Sequence, residues 1–240
     1  MSLMQKIILL VILLLLPACS RFEPPLPSAT AEEVGLDWQE CPVGNDYRWP
    51  QAVGCFHHPM PIWEDIEKGS FAEEVEPDDW QLTIGQATYQ ASRDGDGFSL
   101  KACYTLSRDG IPLSNLCGEF TTYSPNLTLQ NIGGKAAWEF ADHDLQTIIY
   151  DGVDIKQRYG LDGAYRPYHI ADKMIFVGEK DGHYFVVYDG ERVGPLFDKI
   201  MIAYCCEPVM WSVQYGQGRY IFWGERGGQT YVVEIRDEEK

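Results

Sequence analysis

Three short stretches of this 240-residue chain hold residue types that could do chemistry. Cys205-Cys206 is the most unusual. Adjacent cysteines either close a strained ring disulfide, a feature that can line a ligand pocket, or sit on opposite faces of a strand with one paired elsewhere. Tyr204, Trp211 and Tyr215 surround them in sequence, so this loop is the first choice for a ligand site. Asp142-His143-Asp144 has the composition of a metal or acid–base cluster. His57-His58 is the third stretch, with Glu64 and Asp65 nearby. Neighbouring histidines point in different directions and a site needs further ligands, so plain loop histidines are the preferred reading. His169 and His183 stand singly in strand-like surroundings.

Other chemistry leaves no trace in the pattern. The acidic run Glu73, Glu74, Glu76, Asp78 and Asp79 lacks the alternate-residue spacing and the glycine of a calcium loop. No spacing singles out a carboxylate pair among the 36 acidic residues. There is no G-x-S-x-G, H-E-x-x-H, phosphate-binding loop or C-x-x-C. No catalytic residue, metal ligand or cofactor is therefore assigned. The net charge is −17, which disfavours nucleic acid and anionic membrane surfaces as partners.

The first 20 residues carry an address. Lys6 is followed by the apolar run Ile7–Leu16, long enough for a signal-peptide core and too short to span a bilayer. Leu16-Pro17-Ala18-Cys19 then resembles the lipobox of bacterial lipoproteins. The resemblance implies that residues 1–18 are removed and that Cys19 is acylated and anchors the chain to membrane lipid. Several acyl chains would make that anchoring stable. Ser20, rather than Asp, comes after the cysteine, which in that family favours an outer membrane where there are two. Residues 19–33 include Pro24, Pro25 and Pro27 and read as a semi-extended tether.

Six of the seven cysteines remain for an oxidising compartment. Cys41 and Cys55 enclose a Gly- and Pro-containing loop that a disulfide would close. Residues 34–99 read as a Cys- and Trp-rich segment packing on a C-terminal β-repeat domain, with a short helix near residues 62–71 and strand from Trp80.

Residues 100–240 read as hairpin repeats. Lys173–Asp189 aligns without gaps on Arg219–Ile235, with seven of seventeen pairs identical, Phe176/Phe222, Val186/Val232 and Val187/Val233 among them. Lys135 and Lys101 open two fainter copies, which puts unit starts at 101, 135, 173 and 219. The alignment places Asp109-Gly110 and Asp142-His143-Asp144 at the hairpin turn Lys180-Asp181-Gly182. An exposed turn is thus the preferred reading of the Asp-His-Asp cluster. Phe176, Val186, Val187 and their copies are expected between units, because a lone hairpin cannot cover its apolar face.

The segment Lys180-Asp181-Gly182, Phe185–Gly190 and Gly194-Pro195-Leu196-Phe197-Asp198 resembles bacterial propeller-like repeats. The resemblance implies an all-β fold, propeller-like or a stack of hairpins, as an incomplete or four-bladed array. Within it, a three-residue loop Asp109-Gly110-Ile111 sets Arg108 opposite Pro112 and Cys103 opposite Cys117, within disulfide reach.

The combined expectation is a membrane-anchored extracytoplasmic lipoprotein that acts as a non-enzymatic binding or scaffold module. Its partner would be a protein or a saccharide. A hydrolase of a cell-surface polymer and an envelope-assembly factor are the alternatives.

Overall fold

The computed structural model describes residues 26–43, 81–94, 101–119, 126–142, 145–202, 213–216 and 218–238. The described chain is almost entirely β, as the alternating and β-branched segments require. It forms four open antiparallel sheets. Sheet I contains β3 (Gln81–Ile84), β4 (Ala87–Asp94), β5 (Lys101–Arg108) and β6 (Ile111–Glu119) in that order. Sheet II contains β7 (Asn126–Ile132), β8 (Lys135–Asp142), β9 (Leu145–Tyr150) and β10 (Val153–Asp154), followed by the short helix α1 (Ile155–Tyr159). Sheet III contains β11 (Gly163–Ile170), β12 (Lys173–Lys180), β13 (His183–Tyr188) and β14 (Glu191–Phe197).

Both chain ends contribute to the remaining pairings. The two-residue strand β1 (Ser28–Ala29) adds to β14 in parallel. Sheet IV contains β15 (Lys199–Ile200) and β16 (Gln214–Gly216) on one side of β17 (Arg219–Arg226), then β18 (Gln229–Asp237). Its outer strand is β2 (Leu36–Val43), which pairs with β18 from Leu36↔Asp237 to Val43↔Thr230.

Each sheet packs on the next in chain order. Tyr89, Tyr104 and Leu106 of sheet I meet Trp138, Phe140 and Ile149 of sheet II. Ile132, Ala137 and Ile148 of sheet II meet Met174, Phe176 and Val187 of sheet III. Ile175, Val186 and Tyr188 of sheet III meet Tyr220, Phe222 and Val233 of sheet IV, together with Leu36 of β2. Phe176, Val186 and Val187 thus lie between sheets, as the pattern predicts, and all three are fully buried. A fully buried side chain of this size contributes about 1.5–3 kcal/mol, so these boundaries dominate the stability.

Three sequence expectations need correction. The boundary at residue 100 cuts a sheet, because β4 pairs along β5 from Tyr89↔Arg108 to Asp94↔Cys103. The tether expected over residues 19–33 is not free throughout. Leu26 packs on the sheet II–III core, Ser28–Ala29 lie on β14, and Glu32–Val34 form a 3-10 turn. The first hairpin unit is also one strand out of register. Asp109 N donates to Thr88 O at 2.8 Å, as Asp151 N does to Ala136 O and Asp189 N to Met174 O, both at 2.9 Å. Asp109-Gly110 therefore corresponds to Asp151-Gly152 and Asp189-Gly190, not to Asp181-Gly182, and Ala87 stands where Lys135 and Lys173 stand. The pattern could not separate these turns, because all four place Asp and Gly at positive φ.

Cys103 and Cys117 are directly opposed and form a disulfide with a Cα–Cα distance of 4.1 Å. The path differs from the expected one. Asp109-Gly110 is a two-residue turn that sets Arg108 opposite Ile111, and a bulge at Leu113 restores the register. The bulge lies beside Pro112, on the edge strand, where a missing N–H costs no ladder bond.

Candidate functional site

The site is built on β11, whose sequence is Gly-Ala-Tyr-Arg-Pro-Tyr-His-Ile. Pro167 cannot donate to a ladder, and the register with β12 shifts between Tyr165 and Tyr168. Arg166 adopts φ of 52° there. Among the described residues the other non-glycine residues at positive φ sit in turns, so Arg166 is unusual in lying within a strand. Such a backbone costs about 1–2 kcal/mol and persists only where neighbours hold it.

Neighbours from two other sheets hold it. Arg166 N donates to Glu139 Oε1 of β8 at 2.7 Å. Tyr220 Oη of β17 donates to Arg166 O at 2.8 Å. Gln130 Nε2 of β7 donates to Pro167 O at 2.6 Å. Glu139 is 2% exposed, so its bond is a buried, charge-assisted one worth about 1.5–3 kcal/mol, enough to offset the strain. Burial, then the Glu139 charge, pushes the Tyr220 phenol well above its usual pKa. The hydroxyl stays protonated and remains a donor.

The bulge re-aims two rings. Consecutive strand residues ordinarily point to opposite faces. Here Tyr168 and His169 stack instead, with centroids 4.8 Å apart and planes 30° apart. Tyr168 stacks in turn on Tyr215 of β16 at 4.9 Å and 21°. Tyr215 lies parallel to Tyr220 at 6.3 Å and 10°. The result is a ladder, His169–Tyr168–Tyr215–Tyr220, running from sheet III into sheet IV. Tyr220 is its buried end, and the other three rings remain partly exposed. Each stacked pair adds about 0.5–1.5 kcal/mol beyond its buried area. Near-parallel rings do not form the box that encloses a quaternary ammonium; they present ring edges and one end face.

A second polar group lies by the β12–β13 turn. Tyr165 Oη donates to Glu179 Oε2 in a short hydrogen bond. Burial, then this bond, pushes the Tyr165 phenol far up, and burial and Glu179 also raise Tyr184. Among the described residues, no group of three or more His, Cys, Asp or Glu could hold a metal ion.

Of the residues singled out by sequence, Cys103 and Cys117 are joined. Cys41 is also disulfide-bonded, while Cys55, its expected partner, lies outside the described residues. Cys19, Tyr204, Cys205, Cys206, Trp211, His57 and His58 lie outside them too, as does the expected helix near 62–71. Asp142 pairs with Leu145 at the β8–β9 connection, and His143 and Asp144 between them are outside the described residues. Tyr215 belongs to the ladder, and His169 ends it. Glu139, Arg166 and Tyr168 were not anticipated. Pro167 inside a strand was the available signal for the bulge, and Glu139 within Ala-Ala-Trp-Glu-Phe was the signal for a buried charge.

Fold and site together define an all-β chain of antiparallel sheets stacked in order, with a fixed aromatic ladder across the last two. Comparison with known proteins returned no matching family model, no similar curated protein and no similar solved structure.

Proposed function

We propose that this chain is an extracytoplasmic lipoprotein, anchored through acylated Cys19, that acts as a non-enzymatic binding module for a saccharide. The observation that carries the binding role is the ladder His169–Tyr168–Tyr215–Tyr220, braced at Arg166 and partly open to solvent. The end face that the ladder leaves on His169, backed by Tyr168, can meet the C–H face of a sugar ring, and the edges of the partly exposed rings can meet its rim. The net charge of −17 repels anionic polymers, so the sugar is neutral or carries an amine.

The scaffold we infer is propeller-like and open. Four sheets stacked in chain order, with an N-terminal strand completing the last, support the propeller-like form. The outward face of sheet I supports the open one. Thr88, Gln90, Ser92, Thr105 and Ser107 alternate there with the buried residues and are exposed or half-exposed.

The test is binding of the detergent-solubilised protein to an array of neutral and amino-sugar envelope glycans. Saturable binding, weakened at least about tenfold (about 1.4 kcal/mol) by Tyr168→Ala and by Tyr215→Ala, is expected. Binding unchanged in both variants would remove the ladder from the site. Release of new reducing ends from the same glycans would favour the hydrolase alternative.

A further inference from the structure

Asp109-Gly110 corresponds to Asp189-Gly190, so β6 stands in sheet I where β14 stands in sheet III. β14 is not left as an edge. β1 adds to it in parallel, pairing Ser28 and Ala29 with Arg192 and Val193, and Arg192 N donates to Pro27 O at 2.7 Å. Among the described residues, β6 carries no such added strand. Its positions beside the turn are closed to the same contact. Pro112 stands at the place of Arg192 without an N–H, and the bulge at Leu113 follows. Beyond the bulge the pairing is regular through Glu119.

The register shows which groups that edge presents. Opposed residues of an antiparallel pair alternate between bonded and non-bonded, so each residue directs its N–H and C=O to one neighbour. Asp109 N donates to Thr88 O, and the unbroken β4–β5 register carries that phase to Ser92↔Thr105 and Asp94↔Cys103. Thr105 and Cys103 therefore direct their backbone groups to β4. Asn115 and Cys117, opposite them on β6, direct theirs away from β5 to the open edge. The Cys103–Cys117 Cα distance of 4.1 Å agrees, since non-bonded pairs lie closer than bonded ones. The disulfide fastens β6 to β5 in this register. From Ser114 to Gly118 the strand has no charged residue and no proline, the usual guards of an edge.

We propose that β6 from Asn115 to Glu119 is a strand-addition site for an extended segment of another protein. It is independent of the saccharide reading. Leu116 is half-buried on the sheet I–II core, so an apolar residue beside it extends that core. Asn115 and Cys117 are exposed, so the flanking positions of the added strand are polar. The net charge of −17 disfavours an acidic segment and opposes pairing with a second copy of this chain. The occupant is thus a strand of alternating apolar and polar residues, with the polar ones neutral or basic.

Peptide selection tests this on the full-length protein in detergent. The probe is a phage-displayed library of peptides of about ten residues, longer than a typical strand. Selected peptides are expected to alternate, to lack acidic residues, and to slow hydrogen exchange at the Asn115 and Cys117 amides at least about tenfold. Asn115→Pro removes one outward N–H without taking a bond from β5, and should weaken binding at least about tenfold. The exchange measurement uses the unaltered protein and decides the matter even if that variant misfolds. Failure to select a peptide, or peptides that leave both amides unprotected, overturns the site. So does protection of both amides in the free monomer, which would mean that the edge is already covered. Protection that grows with protein concentration alone, accompanied by a dimer mass, overturns the partner and makes a second copy the occupant.

Discussion

Sheets I and III have the same four-strand meander and are held in different ways. Sheet III is buried on both faces: Ile175, Val177 and Val186 enter one core, Met174, Phe176 and Val187 the other. Among the described residues sheet I buries one face, through Tyr89, Ala91, Tyr104 and Leu106. Its other face carries Thr88, Gln90, Ser92, Thr105 and Ser107. What it lacks in burial it gains in a covalent bond, Cys103–Cys117, across its two outer strands. A meander at the end of a stack can be completed by a cross-link where an interior one is completed by a neighbour.

Breaking each device separately sharpens this contrast. Phe222→Ala empties a fully buried site between sheets III and IV, and we expect a loss of about 3–5 kcal/mol in urea unfolding. Removing the cross-link with Cys103→Ser and Cys117→Ser opens a loop of sequence separation 14 and should cost about 3 kcal/mol in the chain-entropy model. Proteolysis of that variant should begin in sheet I.

Alkaline pH attacks the opposite end. Burial, then Asp237 and Asp189, pushes the Tyr188 phenol up to about 12, and Tyr220 is raised as well. The unfolded chain loses these protons near pH 10, before the folded one does. Stability is therefore intact below pH 10 and falls as pH rises toward 12. Phenolate absorbance and loss of the β circular-dichroism signal are expected to rise together in that window; phenolate formed without unfolding would contradict the burial of these rings. The smallest effect belongs to the outer face of sheet I. Gln90→Ala should change stability by less than about 0.5 kcal/mol. A loss above about 2 kcal/mol would mean that another surface covers this face, and the contrast would fail.

Much of this architecture was legible locally. The strands β8, β12 and β17 begin at Lys135, Lys173 and Arg219, the unit starts that the pattern gives. The residues expected between units are buried there because period-2 alternation and apolar runs report burial directly. The Cys103–Cys117 pair was reached by the wrong turn, since a one-residue error in the loop was cancelled by the bulge at Leu113. What could not be read was non-local. Nothing near Trp38 announces that it pairs with Ile235, and both residues carry only a generic strand preference. The site suffered in the same way. Glu139 and Arg166 are 27 residues apart and meet through a backbone N–H, which no side-chain spacing encodes.

The union of β2 with β18 also sets a timetable. Trp38 and Ile235 are 197 residues apart (235 − 38). At about 5–20 residues per second, roughly 10–40 s separate the emergence of the two strands during synthesis. Through that interval Leu36 and Trp38 have no sheet IV core to enter, and β2 has its backbone donors and acceptors open on both sides. Sheets I to III can assemble from neighbouring segments in the meantime, whereas sheet IV waits for the earliest and latest strands to coexist. The junction is thus the last that can close: a chain interrupted before β18 leaves β2 without its partner strand.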